Sequence, residues 1–542
     1  MGQTTFMLMF ITIISKIFGF IREAVMANFI GAEELKSIYT TANTLPVVVA
    51  NFVAVGIISG FIPIYKRAKN EKGLAEAEKF TSNIMNILMV FATVAIVFGI
   101  IFARPFSKLL SPDLDGYWLD LATNYTRIMM FAVYAYLYSA VFRGYLNIKG
   151  DFFNPAITGI IMNIIIIIFT VITGKTGNPY FLIIGALLGN VLQYIFFPRA
   201  SRKVGYRHKK FIDFSNVYVR QLMIIAIPVI ISSAAGEISI IVDNSMASAF
   251  FCKASIAKLF YAKTMLTLIT GVITVSVTTA LFPKIAELGQ AGKINPMKKS
   301  ISSAVVTTLL LVIPATIGMA VLAEPIIELV FQRNAFTADD TVIVASLLAS
   351  YAPFIIFQSI SDVVDRGFYA VGDSKTPVII VIIQQVINVI FNFILINFYG
   401  LNGLAIATVV STIVGSALML YKFRDNFGSF KFKTALISII KISIATAIMA
   451  FVALKLYNTT SPKMPHILAI LISILLAAIV YGFLVLIARI PEVMNLVNIL
   501  YHKISKKPQA KKHIKAPNPS AKTLDEFNRE KIRRNRDRIN KR

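Results

Sequence analysis

Arg143-Gly144-Tyr145, followed by Pro155, recurs as Arg366-Gly367-Phe368, followed by Pro377, and this echo sets the architecture of the chain. Around it, Pro63 and Pro105 return at Pro283 and Pro325, and Ile14-Ser15 with Gly19 returns as Ile231-Ser232 with Gly236. The offset drifts only from 217 to 223 residues across the half. Both copies run through long apolar stretches that keep a few charges each. A duplicated set of membrane helices is a common build of a carrier, because two similar halves around a midplane site can rock against each other and expose it to alternate sides. The repeat therefore puts transport first among the functions.

Composition narrows the rest. Of 542 residues, 56% are hydrophobic and 15% charged, with a mean hydropathy of +0.72, more apolar surface than a soluble core of this size could bury. The single Cys252 leaves no disulfide framework or cysteine metal site, and His208, His466, His502 and His513 fall in or near loops or the tail. No convergent nucleophile or metal set is legible, so we do not expect an enzyme. Residues 6–30 resemble a signal peptide in hydropathy, but Lys16 and Arg22 interrupt them and no small-residue cleavage site follows. They read as a retained first span.

Apolar runs of about 20 residues, the length that crosses about 30 Å of hydrocarbon, number fourteen. They fall near 6–30, 38–64, 81–103, 123–147, 153–173, 180–198, 220–250, 255–283, 300–323, 340–365, 376–398, 400–421, 433–456 and 466–488. The expected class is thus an all-α polytopic membrane protein with two six-helix repeats plus two C-terminal helices. Its expected divisions are an N-terminal lobe at 1–215, a C-terminal lobe at 216–425, two additional helices at 426–495 and a cytoplasmic tail at 496–542.

Lysine and arginine gather after even-numbered spans: Lys66, Arg67, Lys69 and Lys72 after the second, Arg199 to Lys210 after the sixth, Lys293 to Lys299 after the eighth, and Lys422 to Lys433 after the twelfth. The opposite loops carry Glu33, Glu34, Asp113, Asp115, Asp339 and Asp340. The excess of cations on one side predicts cytoplasmic termini in a bacterial cytoplasmic membrane. It also accounts for most of the formal charge of +27, which might otherwise suggest nucleic acid. The stretch from Lys503 to Arg542 holds 15 Lys and Arg against 4 acids and reads as a disordered arm near anionic membrane lipids, with no aromatic platform for RNA.

Charges inside spans are costly and mark cavities or partners. Lys16 and Arg22 sit in the first span, with Glu23 beside Arg22. One reading is an ion pair plus a snorkelling lysine; the other is a pair of cations facing an internal cavity and an anionic headgroup, to which arginine offers bidentate donors. Lys263 adds a cation in the eighth span, with Lys258 nearer its outer end. Glu237 and Asp243 lie in the seventh span, and Asp365 with Arg366 at the edge of the tenth reads as a structural pair. Gln384, Gln385, Asn388 and Asn392 form a row of amides in the eleventh span, and Thr408 lies in the twelfth. Asp243, Asn388, Asn392 and Thr408 together could supply oxygens to a hard cation such as sodium, or the amides could simply hold helices together.

At these residues the chain resembles a known family. Ser15-Lys16-Ile17-Phe18-Gly19-Phe20-Ile21-Arg22-Glu23, with Gly31-Ala32, Leu45-Pro46, Gly56 and Phe61-Ile62-Pro63, is similar to the amino-terminal signature of the MurJ (MviN) lipid II flippases of the MOP exporter superfamily. Leu146-Asn147, Phe152, Pro155-Ala156 and the run from Gly367 to Val378 are similar too. The resemblance implies an inverted V of two lobes around a cationic cavity, with the last two helices forming a groove for a lipid tail. It implies export of undecaprenyl-pyrophosphate-linked peptidoglycan precursor to the outer leaflet, with cell-wall synthesis proteins as candidate partners. Lys16 and Arg22 stand where the family has cavity arginines, which makes them and Lys263 the expected pyrophosphate contacts. Asp243, Asn388, Asn392 and Thr408 stand where some members bind sodium, with Asn392 in place of a carboxylate.

The chain also departs from the family pattern, with Ser37 at an acidic position, Ala50-Asn51 at a basic pair, and Lys263-Thr264 at an Asp-Arg pair. These losses leave a flippase for another polyprenyl-linked oligosaccharide as the alternative. A MATE-type cation-coupled drug antiporter would instead call for acidic cavity residues. No cofactor is expected; sodium coupling or the membrane potential would be the drive.

Overall fold

The computed structural model describes residues 2–428 and 432–494. The first half contains α1 (Gly2–Ile30), α2 (Glu34–Lys72), α3 (Leu74–Ile101), α4 (Ala103–Leu110), α5 (Gly116–Met130), α6 (Ala132–Ile148), α7 (Phe153–Thr176), α8 (Tyr180–Leu192) and α9 (Phe197–Lys203). The second contains α10 (Val217–Phe250), α11 (Ser255–Ile269), a π turn at Thr270–Thr274, α12 (Val275–Gln290), α13 (Ile294–Val321), α14 (Ala323–Phe331), α15 (Ala338–Ala370), α16 (Lys375–Tyr399) and α17 (Leu401–Phe427). Two more follow, α18 (Phe432–Thr460) and α19 (His466–Ile487). The chain divides into compact units at Met1–Ile490 and Pro491–Arg542, and α1 to α19 all belong to the first. The basic tail lies outside the described residues.

Among the described residues, eleven helical stretches are by themselves long and apolar enough to cross a membrane. Three more passages complete the expected set: α1, the pair α5–α6 and the run α11–π turn–α12. The sequence reading drew the last two as unbroken spans, and the structure corrects this with a break at Phe131 and a π turn. It likewise ends the 180–198 span early, as α8, before the short α9, and extends the second span from 38–64 to Glu34–Lys72. The added turn at the start of α2 carries Lys36, which the 38–64 span left out.

The repeat has a local physical cause. After Leu146, Asp151 N–H donates to Leu146 O (2.9 Å) and Gly150 N–H to Asn147 O (3.1 Å), closing a Schellman turn with Gly150 at φ 85°. After Phe368, Asp373 N–H donates to Phe368 O (3.0 Å) and Gly372 N–H to Tyr369 O (3.1 Å), again with φ 85°. The positive φ requires glycine at little cost, and the following Asp and Pro start the next helix in each copy. The Pro105 and Pro325 echo is similar: a long span ends, and a short helix, α4 or α14, follows.

Small residues bring the helices close, as expected where lipid supplies no hydrophobic drive between them. Gly56 and Gly60 on α2 sit against Ala226 and Leu222 on α10, and Gly19 on α1 sits against Asn163 on α7. These contacts set α2 against α10 and α1 against α7. Helix α18 packs on α13 and on α19, α19 also touches α14, and neither lines the cavity between the halves.

Candidate functional site

A cavity of about 670 Å³ is walled by α1, α2, α6, α7 and α8 of the first half and by α10 and α11 of the second. Lys16, Arg22 and Lys263 all line it, so the structure brings together the three cations expected to meet a pyrophosphate. Glu23 and Glu237 line it as well, and the partners of each charge decide which remain available.

Arg22 is held on two sides. Its Nη1 donates to Asn163 Oδ1 at 3.0 Å, while Nε and Nη2 donate to Glu23 Oε1 at 3.0 and 2.5 Å. Asn163 Nδ2 donates to Ser15 O at 3.3 Å, which orients the amide with its oxygen toward the arginine. Glu23 is shared: its Oε2 accepts from Lys36 Nζ at 2.8 Å. Lys36 is fully buried, its ammonium 4.4 Å from the ring centre of Phe260 and 5.1 Å from that of Tyr261, both on α11. With two cations on one carboxylate, Arg22 need not neutralise Glu23 alone and keeps its exposed face for an anion. Arg22 thus forms the ion pair with Glu23 and lines the cavity at the same time. Lys16 is exposed, lines the cavity, forms no ion pair among the described residues, and reaches to Gly271 in the π turn of the other half. A π turn opens the backbone locally and often accompanies a site.

Asp243, Asn388, Asn392 and Thr408 are also brought together, but with a member the sequence reading kept apart. Lys263 Nζ donates to Asp243 Oδ2 at 2.9 Å, and Asn392 Nδ2 donates to Asp243 Oδ1 at 2.8 Å. Asn388 Oδ1 accepts from Ser239 Oγ at 2.8 Å, and Asn388 Nδ2 donates to Thr408 Oγ1 at 3.3 Å. Lys263 also sits 5.4 Å from the ring centre of Tyr351. Lys263 therefore belongs to the cavity and to this cluster, a correction to its assignment as a cavity cation alone. Lys258, noted beside it, pairs with Asp340 at 3.0 Å, and Asp365 with Arg366 forms the expected pair at 3.7 Å.

A seam of contacts joins the halves beside the acidic loops. Ala257 N–H donates to Ser37 Oγ (3.0 Å), Tyr261 Oη to Gly31 O (3.0 Å) and Asn334 Nδ2 to Asn28 Oδ1 (2.8 Å). Lys253 bridges to Asp115 at 2.7 Å and holds that carboxyl below its usual range. A lowered carboxyl pKa stabilises the bridge above the unfolded value and loses it as pH falls through the folded one, so the bridge is intact at neutral pH. Gly31 is the tightest point: its φ is 75°, and a Cβ there would land on the carbonyl of Ala335. Gly31→Ala is expected to cost about 2 kcal/mol from backbone conformation alone, more with the clash. A lowered melting midpoint in detergent, with activity reduced, checks it; an unchanged midpoint would mean the seam is looser than the geometry requires.

Three of the substituted positions have structural roles. Ser37 supplies the seam hydroxyl, and Asn51 Nδ2 donates to Glu237 Oε1 at 2.8 Å. Thr264 lines the cavity with its hydroxyl turned back to Phe260 O at 2.8 Å. The sequence reading missed Lys36, Asn163, Ser239 and Tyr351. Lys36 carried a usable signal, a lone lysine within an acid-rich loop against the charge asymmetry of the chain, and Asn163 carried another, an amide inside the apolar run of residues 160–168; Ser239 and Tyr351 carried none.

Comparison with known proteins agrees with this fold. The family described as Lipid II flippase MurJ matches residues 26–475. A protein of Bdellovibrio bacteriovorus named probable lipid II flippase MurJ is 25% identical over 479 residues, covering 87% of this chain and 91% of its own. One of Rhizobium meliloti with the same name is 27% identical over 465 residues, covering 81% and 83%. A solved lipid II flippase MurJ in an inward closed conformation superposes with a TM-score of 0.76 at 26% identity, over 92% of this chain and 99% of that one. An inward-facing MATE multidrug transporter shares the fold, with a TM-score of 0.62 at 16% identity over 77% and 95%. With a repeated multi-span helical membrane fold, a cation-lined cavity between its halves and a family match across most of its length, the chain belongs to the lipid II flippase MurJ family.

Proposed function

We propose that this protein moves lipid II, the undecaprenyl-diphosphate-linked peptidoglycan precursor, from the inner to the outer leaflet of the cytoplasmic membrane by alternating access, with both termini cytoplasmic. The observation that carries the reading is the convergence of Lys16, Arg22 and Lys263 on one cavity in a member of this family. A flippase breaks no bond. It must give a charged headgroup a hydrated path of opposite charge while the lipid tail stays in hydrocarbon. Lys16 and the outer face of Arg22 meet the diphosphate, lowering the cost of bringing it to the midplane. Rocking of the halves, with the seam at Gly31, Ser37 and Tyr261 parting, changes the leaflet the cavity faces.

Complementation of a bacterium depleted of its own lipid II flippase tests the substrate. Rescue supports the reading; a well-expressed chain that fails to rescue points to another polyprenyl-linked glycan. The membrane potential, inside negative, favours outward movement of the anion by about 2.3 kcal/mol per charge per 100 mV. Collapsing it with ionophores is expected to slow lipid II appearance in the outer leaflet; an unaltered rate would remove the potential as the drive.

A further inference from the structure

We propose that Lys263 is the resident cation of the Asp243 cluster, a tethered ammonium standing where a bound metal ion would otherwise neutralise the carboxylate, so that this cluster takes up no sodium. The donor set is the first argument. A sodium site needs oxygen lone pairs converging on one point. Here both oxygens of Asp243 face N–H donors, Oδ2 the ammonium of Lys263 and Oδ1 the amide of Asn392. Asn388 Oδ1 is engaged by the Ser239 hydroxyl, and Asn392 adds a second donor to it at 3.4 Å. The residues as they stand do not fit a sodium ion.

Charge is the second argument. Asp243 is buried and already has its counter-ion in Lys263, and among the described residues no second carboxylate joins the cluster. A metal ion added there would leave a buried net positive charge, which is costly. The third is an orphan: Asn392 is fully buried and its Oδ1 has no hydrogen-bond partner. That oxygen shows what the lysine holds in reserve. Remove the ammonium and turn the Asn392 amide by half a rotation, and an amide oxygen joins the freed Asp243 carboxylate, with Asn388 and Thr408 in the same hydrogen-bonded cluster. The site is a latent sodium site closed by its own lysine.

The ammonium also lines the main cavity, so a diphosphate there would compete with Asp243 for it. This last consequence rests on the flippase reading; the exclusion of sodium from the cluster does not.

The test uses the purified full chain in detergent, with thermal unfolding followed in NaCl and in choline chloride at equal ionic strength. The wild type should melt at the same temperature in both. Lys263→Ala should be stabilised by sodium over choline, by about 2 °C or more at saturating salt. Lys263→Ala combined with Asp243→Asn should lose that response. Sodium-specific stabilisation of the wild type overturns the proposal, and so does a Lys263→Ala chain indifferent to sodium. Should Lys263→Ala fail to accumulate, Lys263→Gln is read the same way. No transport is measured, so failure of this proposal is separate from failure of the flippase reading, which rests on complementation.

Discussion

Arg22→Ala should abolish rescue of a flippase-depleted bacterium while the protein still accumulates in the membrane. The guanidinium is anchored through Glu23 and Asn163 and turns its remaining face to the cavity. Charge-assisted hydrogen bonds contribute about 1.5–3 kcal/mol each, so losing two to a diphosphate lowers transport by roughly 10²-fold to 10⁴-fold. The protein still accumulates because Glu23 keeps Lys36 as its counter-ion, although loss of the Arg22 pair lowers the melting midpoint. Arg22→Lys keeps the charge but not the planar fork and should fall between the two. Equal rescue by wild type and Arg22→Ala at matched expression would show that the substrate does not use this cation.

The second large effect is on stability. Lys36→Met leaves Glu23 buried with Arg22 alone, and Glu23→Gln leaves the fully buried Lys36 without a carboxylate. Breaking a buried pair from one side costs about 3–5 kcal/mol, whereas exchanging both partners for neutral groups of similar size is close to neutral. Each single variant should therefore melt well below wild type, with Lys36→Met at the milder end because Arg22 remains. The double variant should recover most of the loss in stability. It should not recover transport, because Arg22 then loses its charged anchor. Melting midpoints of the four proteins form a cycle; simple additivity would mean that the two side chains do not act as a pair.

Much of the fold was legible. Helix positions follow from apolar length, and the turns after Ile148 and Ala370 follow from Gly150-Asp151 and Gly372-Asp373, which act locally. The breaks at Phe131 and at Thr270–Thr274 were not legible, since neither carries a proline, Phe131 lies in an unbroken apolar run, and the single Gly271 is tolerated in membrane helices. The start of α2 was misplaced because hydropathy reports the hydrocarbon and not the helix, and the polar first turn at Glu34–Lys36 lies in protein contacts instead.

The candidate site divides in the same way. That charged groups such as Lys16, Arg22, Asp243 and Lys263 lie within apolar spans is a property of the sequence alone, because the membrane makes every such residue an exception that composition exposes. So too are the repeat and the charge asymmetry between loops. Which charge answers which was decided only in three dimensions. Arg22 meets Asn163 across 141 residues of chain, Asp243 meets Asn392 across 149, and Asn51 meets Glu237 across 186. Pairing energies fall off over a few ångströms, while sequence patterns record helix faces and lengths. Lys263 could thus be recognised as a cation from its span, but its service to Asp243 emerged only when α10, α11 and α16 were packed together.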